Sequence, residues 1–467
     1  MKLKKGLLYV FIANLINLLI SLFSGFVLPK MLSIETYADI KLFQLYVSYI
    51  GFVSLGFADG MYLKYGGKNI EELDAKVIRE EFNTYKVFQI IISIIGIVIS
   101  IIVKNSILLF CMLTVFPVNV AGYVKNLYQA IGKFKEYSRY TNINTFLVFI
   151  INIILLFIIK TDNPKFYIGT YVIAYFLYWL IVEYENNKVF KKIENCKCKK
   201  IYLVENVKQG FFLMLGNFCN VMFTSIDRQF VQKLLGNIKF AYYSFAVSIE
   251  NLMDVFISPI STVMYNYLCC NNEVKSVLKI KRLVLVFATI IVAVIFPAKF
   301  VIDVWITKYL EAETVLFILF AAQFVNIIIR CIHLNLYKSE KKQNRYFAIM
   351  VIVIALSVVL NIILYQIDKN MEMIAIATLI TNIIWFAIGE IDLKKYKFRT
   401  KEYICIAITI ILLLICGKYF NAILGCIVYL TLSVVSLCTF MPETIKEIKS
   451  YVTKIIILRG KEKNEKM

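Results

Sequence analysis

A chain of 467 residues that is 60% hydrophobic and 18% charged, with a mean hydropathy of +0.73, cannot build the polar surface of a soluble multidomain protein. Its formal net charge of +21 would suit a nucleic-acid partner. The basic residues, however, lie in short connections beside apolar stretches, where membrane orientation and attraction to anionic lipid head groups account for them. Nucleic acid is therefore excluded as a partner, and an all-α polytopic membrane protein is expected.

In chain order the apolar stretches run over 7–29, 42–63, 87–103, 107–124, 143–159 and 166–182. They continue over 209–232, 240–268, 283–298, 314–337, 346–365 and 373–389, and close with 403–417 and 419–440. That makes about 14 transmembrane helices, since a span takes roughly 17–25 apolar residues. The first stretch follows Lys2, Lys4 and Lys5 but is too long for a signal-peptide core, and Gly25 to Pro29 offers no small-residue cleavage site. It reads as a retained span.

The connections alternate in charge. Clusters at Lys64 to Lys86, Lys125 to Arg139, Lys188 to Lys208, Lys275 to Arg282, Lys338 to Arg345, Lys394 to Lys401 and Lys446 to Lys466 fall on one side. Because Lys and Arg are enriched in cytoplasmic loops, that side and both termini are expected in the cytoplasm, with the chain in a bacterial inner membrane. The outer connections are short. The longest, 30–41 and 299–313, cannot fold into a domain with its own core, which counts against a membrane glycan polymerase or ligase. Residues 69–82 and the tail from Ile445 to Ile455 read as amphipathic helices lying in the inner interface.

The chain also repeats. Laying the first span on the seventh superimposes Asn14 on Asn217, Lys30 on Lys233, Leu32 on Leu235 and Ala38 on Ala241. The two copies start from the same side, so they form parallel repeats, an arrangement that suits rocking-type alternating access. The expected organisation is two pseudo-symmetric six-helix bundles, 1–206 and 207–402, plus two extra helices and a basic tail in 403–467.

Three short stretches carry a resemblance. Phe26-Val27-Leu28-Pro29-Lys30-Met31-Leu32-Ser33-Ile34-Glu35-Thr36-Tyr37 is similar to the exit from span one in the polysaccharide transporter branch of the multidrug/oligosaccharidyl-lipid/polysaccharide exporter superfamily, with Ala38 in place of the usual Gly. Leu55-Gly56-Phe57-Ala58-Asp59-Gly60 resembles the end of span two. Ile226-Asp227-Arg228, then Gly236, then Tyr243-Ser244-Phe245-Ala246 resembles the start of the second half. The resemblance implies a flippase that carries undecaprenyl-diphosphate-linked oligosaccharide repeat units across the membrane for capsule or O-antigen assembly. The partners expected with that reading are the glycan and a polysaccharide polymerase, the basic connections add anionic membrane lipids, and the chain is expected to be a monomer. A cation-coupled multidrug-type exporter of the same superfamily is the alternative.

Ionisable groups inside a span are costly, roughly 2.5–3.5 kcal/mol each on insertion scales, and so are candidates for function. Arg228 and Arg330 would grip the cargo's diphosphate through their planar forks, or each would pair with an internal acid. Asp227, Glu250, Asp254 and Asp59 are the candidates for ion coupling or charge pairing. Glu250 and Asp254 are four residues apart, hence expected on one helix face. Tyr128, Tyr175 and Tyr243 are candidates for stacking on sugars. Enzymatic activity is not expected: His333 is the only histidine, no nucleotide-binding loop is present, and no cofactor or metal set can be assembled. The close pairs Cys196/Cys198 and Cys269/Cys270 read as reduced bystander thiols.

Overall fold

The computed structural model describes residues 18–68, 73–190, 197–270, 273–448 and 450. Every regular element among them is helical. Among the described residues ten helices are long and apolar enough to cross a membrane, or up to eleven if one bent pair counts as a single span, so the expected fourteen is not reached there on length and composition alone. We label the main helices, spanning or not, in chain order. The first unit, 1–244, holds α1 (Leu18–Met31), α2 (Ile34–Val47), α3 (Phe57–Tyr65), α4 (Ala75–Ile102), α5 (Ser106–Ala130), α6 (Lys135–Ile159), α7 (Pro164–Phe190) and α8 (Lys200–Phe223). The boundary at Ser244 falls inside α9 (Ile226–Glu250). The second unit, 245–467, holds α10 (Asp254–Cys270), α11 (Val274–Trp305), α12 (Thr307–Ser339), α13 (Gln343–Ile367), α14 (Met371–Asp392), α15 (Thr400–Tyr419) and α16 (Ala422–Phe440).

In the first unit, α2 starts where the Ser33 side chain accepts the Thr36 amide at 3.2 Å, an N-cap that turns the expected open connection 30–41 into helix. Between α2 and α3 the chain bends by 64°, through Leu55 and Gly56 with φ of 50° and 85°. The core joins α3, α4 and α5: Tyr85 stacks on Tyr123 at 5.1 Å, and Phe57 lies 4.9 Å from Tyr85. Asn119 donates to Gln89 Oε1 at 2.7 Å and to the Ile50 carbonyl at 3.2 Å, polar links of the kind that hold helices together in lipid. The opposite face of α4 exposes Ile91, Ile94, Ile95, Val98 and Ile102, as a lipid-facing helix requires.

Several boundaries differ from the sequence reading, each for a local reason. The stretch 209–232 is not one span, because α8 ends at Phe223 and the chain turns at 224–225 before α9. The stretch 240–268 is broken by a 3-10 turn at Asn251–Met253. The connection 299–313 is largely helical, since α11 runs on to Trp305 and Thr307–Ala312 forms 3-10 turns. Of the amphipathic stretch 69–82, residues 69–72 lie outside the described residues. The rest is the capped start of α4, with Asp74 accepting the Lys76 amide at 2.8 Å and Ile78 and Phe82 buried in the core. Residues 7–17 of the first stretch and 451–455 of the tail also lie outside the described residues.

Connections that the charge alternation assigns to one side bond to each other within each unit. In the first, Lys64 pairs with Glu81, Lys86 with Glu183 at 2.9 Å, and Lys199 with Glu80 at 2.6 Å. At the other end, Asp162 accepts the Ser33 amide at 3.0 Å and its carbonyl accepts the Thr36 hydroxyl at 2.6 Å. In the second unit, Arg282 pairs with Glu402 at 2.7 Å, Lys395 with Glu340 at 2.7 Å and Arg345 with Asp392. The opposite end has Lys299 paired with Glu313 and donating to the Gly417 carbonyl at 2.8 Å.

Candidate functional site

The turn between α8 and α9 places three of the candidates. Asp227 opens α9 and is buried, accepting the Arg228 amide at 2.7 Å and the Tyr243 hydroxyl at 2.8 Å. Sixteen residues of unbroken helix would separate these groups by about 24 Å at 1.5 Å per residue. They meet because α9 folds back at Gly236, whose φ of 83° is open to a residue without a Cβ. The stretch from Ile226 to Tyr243 thus owes its residue types to a fold-back: an acid at the helix start, a glycine at the bend and a tyrosine returning to the acid. Tyr243 is consumed by this contact and fully buried, so it does not present its ring for stacking within this unit. Tyr128 is likewise buried, 5.5 Å from Tyr140.

Arg228 is held differently. Its Nη2 reaches the Thr224 carbonyl only at 3.5 Å, its Nε is buried without a hydrogen-bond partner, and it forms no ion pair among the described residues. Beside it, Tyr49 bonds both Ser225 and Gln229, which pins the turn against the start of the bend between α2 and α3. Asp59, half-buried on α3, accepts from Asn217 on α8 at 2.9 Å. That contact depends on close helix approach: a Cβ on Gly60 would overlap the Asn206 backbone, and one on Gly210 would overlap Gly56 and Gly60.

In the second unit the structure brings together Arg330 and Asp254, whose side chains bond directly and stay 32% and 43% exposed within the unit. Arg330 lies in a π-helical turn, Ile329–His333, inside α12. Such a turn withdraws a carbonyl from the helical ladder. Ser261 on α10 donates to the Arg330 carbonyl at 3.1 Å, and Asn335 donates to the Ser261 carbonyl at 2.8 Å, tying α10 to the turn. Glu250 ends α9 and Asp254 starts α10, and a 3-10 turn over Asn251–Met253 separates them in place of the continuous α-helix the sequence reading assumed.

A buried cluster escaped the sequence reading. On α14, Glu390 accepts from Lys281 of α11 and lies 2.8 Å from His333 Nε2. Its other oxygen accepts the Tyr403 hydroxyl at 2.7 Å and the Phe398 amide at 2.9 Å. Lys281 also donates to the Tyr396 carbonyl at 2.9 Å and lies over the Phe398 ring at 4.0 Å. Lys281, Glu390 and Tyr403 end or border apolar stretches and His333 lies inside another, so in the sequence nothing joins them. Only the coincidence of the lone histidine with loop-edge Lys and Glu could have pointed to them. Among the described residues no three His, Cys, Asp or Glu side chains gather as a metal set.

Apolar helices long enough to cross a bilayer, with charges in their interior, define a multi-pass helical membrane protein. Comparison with solved structures narrows the fold to that of the MOP-superfamily transporters. The lipid II flippase MurJ in its inward closed conformation superimposes with a TM-score of 0.70 at 15% identity, over 94% of this chain and 100% of the flippase. An inward-facing multidrug resistance MATE family transporter gives 0.57 at 10% identity, over 85% of this chain and 98% of its own. The MATE multidrug transporter DinF-BH gives 0.55 at 14%, over 84% and 95%. No family model matches the sequence. No curated protein matches it either.

Proposed function

We propose that this chain is a flippase that moves an undecaprenyl-diphosphate-linked oligosaccharide across the bacterial inner membrane by alternating access, for capsule or O-antigen assembly. The observation that carries the reading is Arg228: a guanidinium inside a transporter fold, without an ion pair among the described residues and with a buried, unpartnered Nε. A partly buried guanidinium whose Nε has no hydrogen-bond partner is costly to keep, and an anionic cargo that bonds it during each cycle justifies it. A diphosphate is the natural counterpart of a guanidinium fork. Arg330 serves as a second, exchangeable contact: its half-exposed pair with Asp254 releases the guanidinium when a more highly charged anion arrives. Glu250 and Asp59 are the remaining candidates for ion coupling.

The resemblance in sequence and the fit of the whole flippase chain onto this one support the same reading. Both termini are assigned to the cytoplasm and a polysaccharide polymerase to the outer side as the consumer of the product. No catalytic step is required of the chain. The test is made in cells. Depleting the protein should leave the lipid-linked repeat unit in the inner leaflet, inaccessible to an external lectin on intact spheroplasts, and Arg228→Ala should reproduce the defect at normal protein abundance. Unchanged lectin access in depleted cells would reject the reading and favour the multidrug-type exporter.

A further inference from the structure

A polar pocket of about 110 Å³ lies in the second unit, between the start of α11, the start of α15 and the end of α16. Arg282 reaches it from α11, Arg399 from the N-cap of α15 and Lys401 from its first turn, and the end of α16 with residues 441–444 after it closes the pocket, Met441 and Thr444 being buried. Glu402 is already committed: one oxygen takes Arg282 Nε at 2.7 Å and the other the Arg399 amide at 3.0 Å. Arg399 and Lys401 are exposed and form no ion pair among the described residues. Three cations therefore line the pocket against two carboxylates, Glu402 and Glu443, at the positive end of a helix.

We infer that this pocket binds the head-group phosphate of an anionic phospholipid. The charge surplus and the paired Arg and Lys donors at a helix N-terminus select a phosphate oxygen. The surroundings select a lipid as its source. From Lys401 the exposed face of α15 continues through Ile404, Ile411 and Ile415, an apolar track on which an acyl chain can lie while its head group remains in the pocket. The site fastens α15 and α16 to α11 from the membrane side, and it rests on the chain being a membrane protein, not on the cargo proposed above.

The experiment uses the purified full chain, delipidated in detergent, with lipid retention read by native mass spectrometry and stability by thermal unfolding. Phosphatidylglycerol, phosphatidylcholine and inorganic phosphate are added separately. Phosphatidylglycerol should be retained and should raise the unfolding temperature, whereas phosphatidylcholine and inorganic phosphate should do neither. Arg399→Gln combined with Lys401→Gln, two exposed positions, should fold normally and weaken phosphatidylglycerol retention about thirtyfold. Equal retention by the double variant would overturn the site. Stabilisation by inorganic phosphate alone would overturn the lipid as its source.

Discussion

Replacing Glu390 with Ala should destabilise the second unit more than any change at its surface. The Lys281 and Glu390 side chains are 1% and 3% exposed, and His333 is 3% exposed against them. Without the carboxylate, the Lys281 ammonium keeps only the Tyr396 carbonyl at 2.9 Å and the Phe398 ring, while the Tyr403 hydroxyl and the Phe398 amide lose their acceptor. Breaking a buried pair from one side costs about 3–5 kcal/mol, because the remaining charge stays desolvated. Adding Lys281→Met removes that charge. The double variant should then recover most of the loss and retain a deficit of about 1–3 kcal/mol from the orphaned hydroxyl and amide. Denaturant unfolding in detergent micelles, followed by intrinsic fluorescence, measures both. A Glu390→Ala loss below about 1 kcal/mol would refute the buried-pair account, as would a double variant no more stable than the single one.

Other outcomes follow from the same geometry. Gly60→Leu should push α3 off α8, since its Cβ would meet the Asn206 backbone; overpacking of about 1–3 kcal/mol should appear as reduced abundance and thermal stability, and wild-type stability would contradict the crossing. Tyr243→Phe, which removes the hydroxyl donor to buried Asp227, should cost about 1–3 kcal/mol in thermal unfolding, and Asp227→Asn should cost less because the amide oxygen still accepts the Arg228 amide while the amide nitrogen can donate to the Tyr243 oxygen. Cysteines introduced at Glu35 and Thr307 should label from outside intact cells, and one at Lys68 only after permeabilisation; external labelling at Lys68 would invert the sidedness.

Much of the fold was legible because lipid imposes a simple rule: runs of apolar residues become helices, and charge collects between them. That rule is silent on what happens inside a run. It treated 209–232 and 240–268 as single spans, whereas Thr224-Ser225 interrupts the first and Asn251–Met253 the second. The connection it placed between them, 233–239, is instead helix on either side of a bend at Gly236. The candidate residues were found by cost, as charges in spans, which located Arg330 and Asp254 and could not say that they bond. Asp227 shows the limit of that logic, since its buried carboxylate is satisfied by a tyrosine sixteen positions away and a turn amide. The Glu390 cluster was missed for the complementary reason. Its charges lie at helix ends, where solvation is the default expectation, and burial there comes from neighbouring helices that the sequence does not order.

The central claim is that a lipid-linked diphosphate glycan crosses the membrane through this chain. It is tested most directly by reconstituting the purified protein in vesicles that contain a fluorescent undecaprenyl-diphosphate oligosaccharide in both leaflets and following its quenching by an impermeant reductant. Protein-containing vesicles should lose nearly all of the fluorescence with time, where protein-free vesicles keep the inner half. Arg228→Ala should slow the second phase at equal reconstitution. A protected inner half that persists with the wild-type protein, in vesicles where the same protein moves a small amphiphilic dye, would contradict the account.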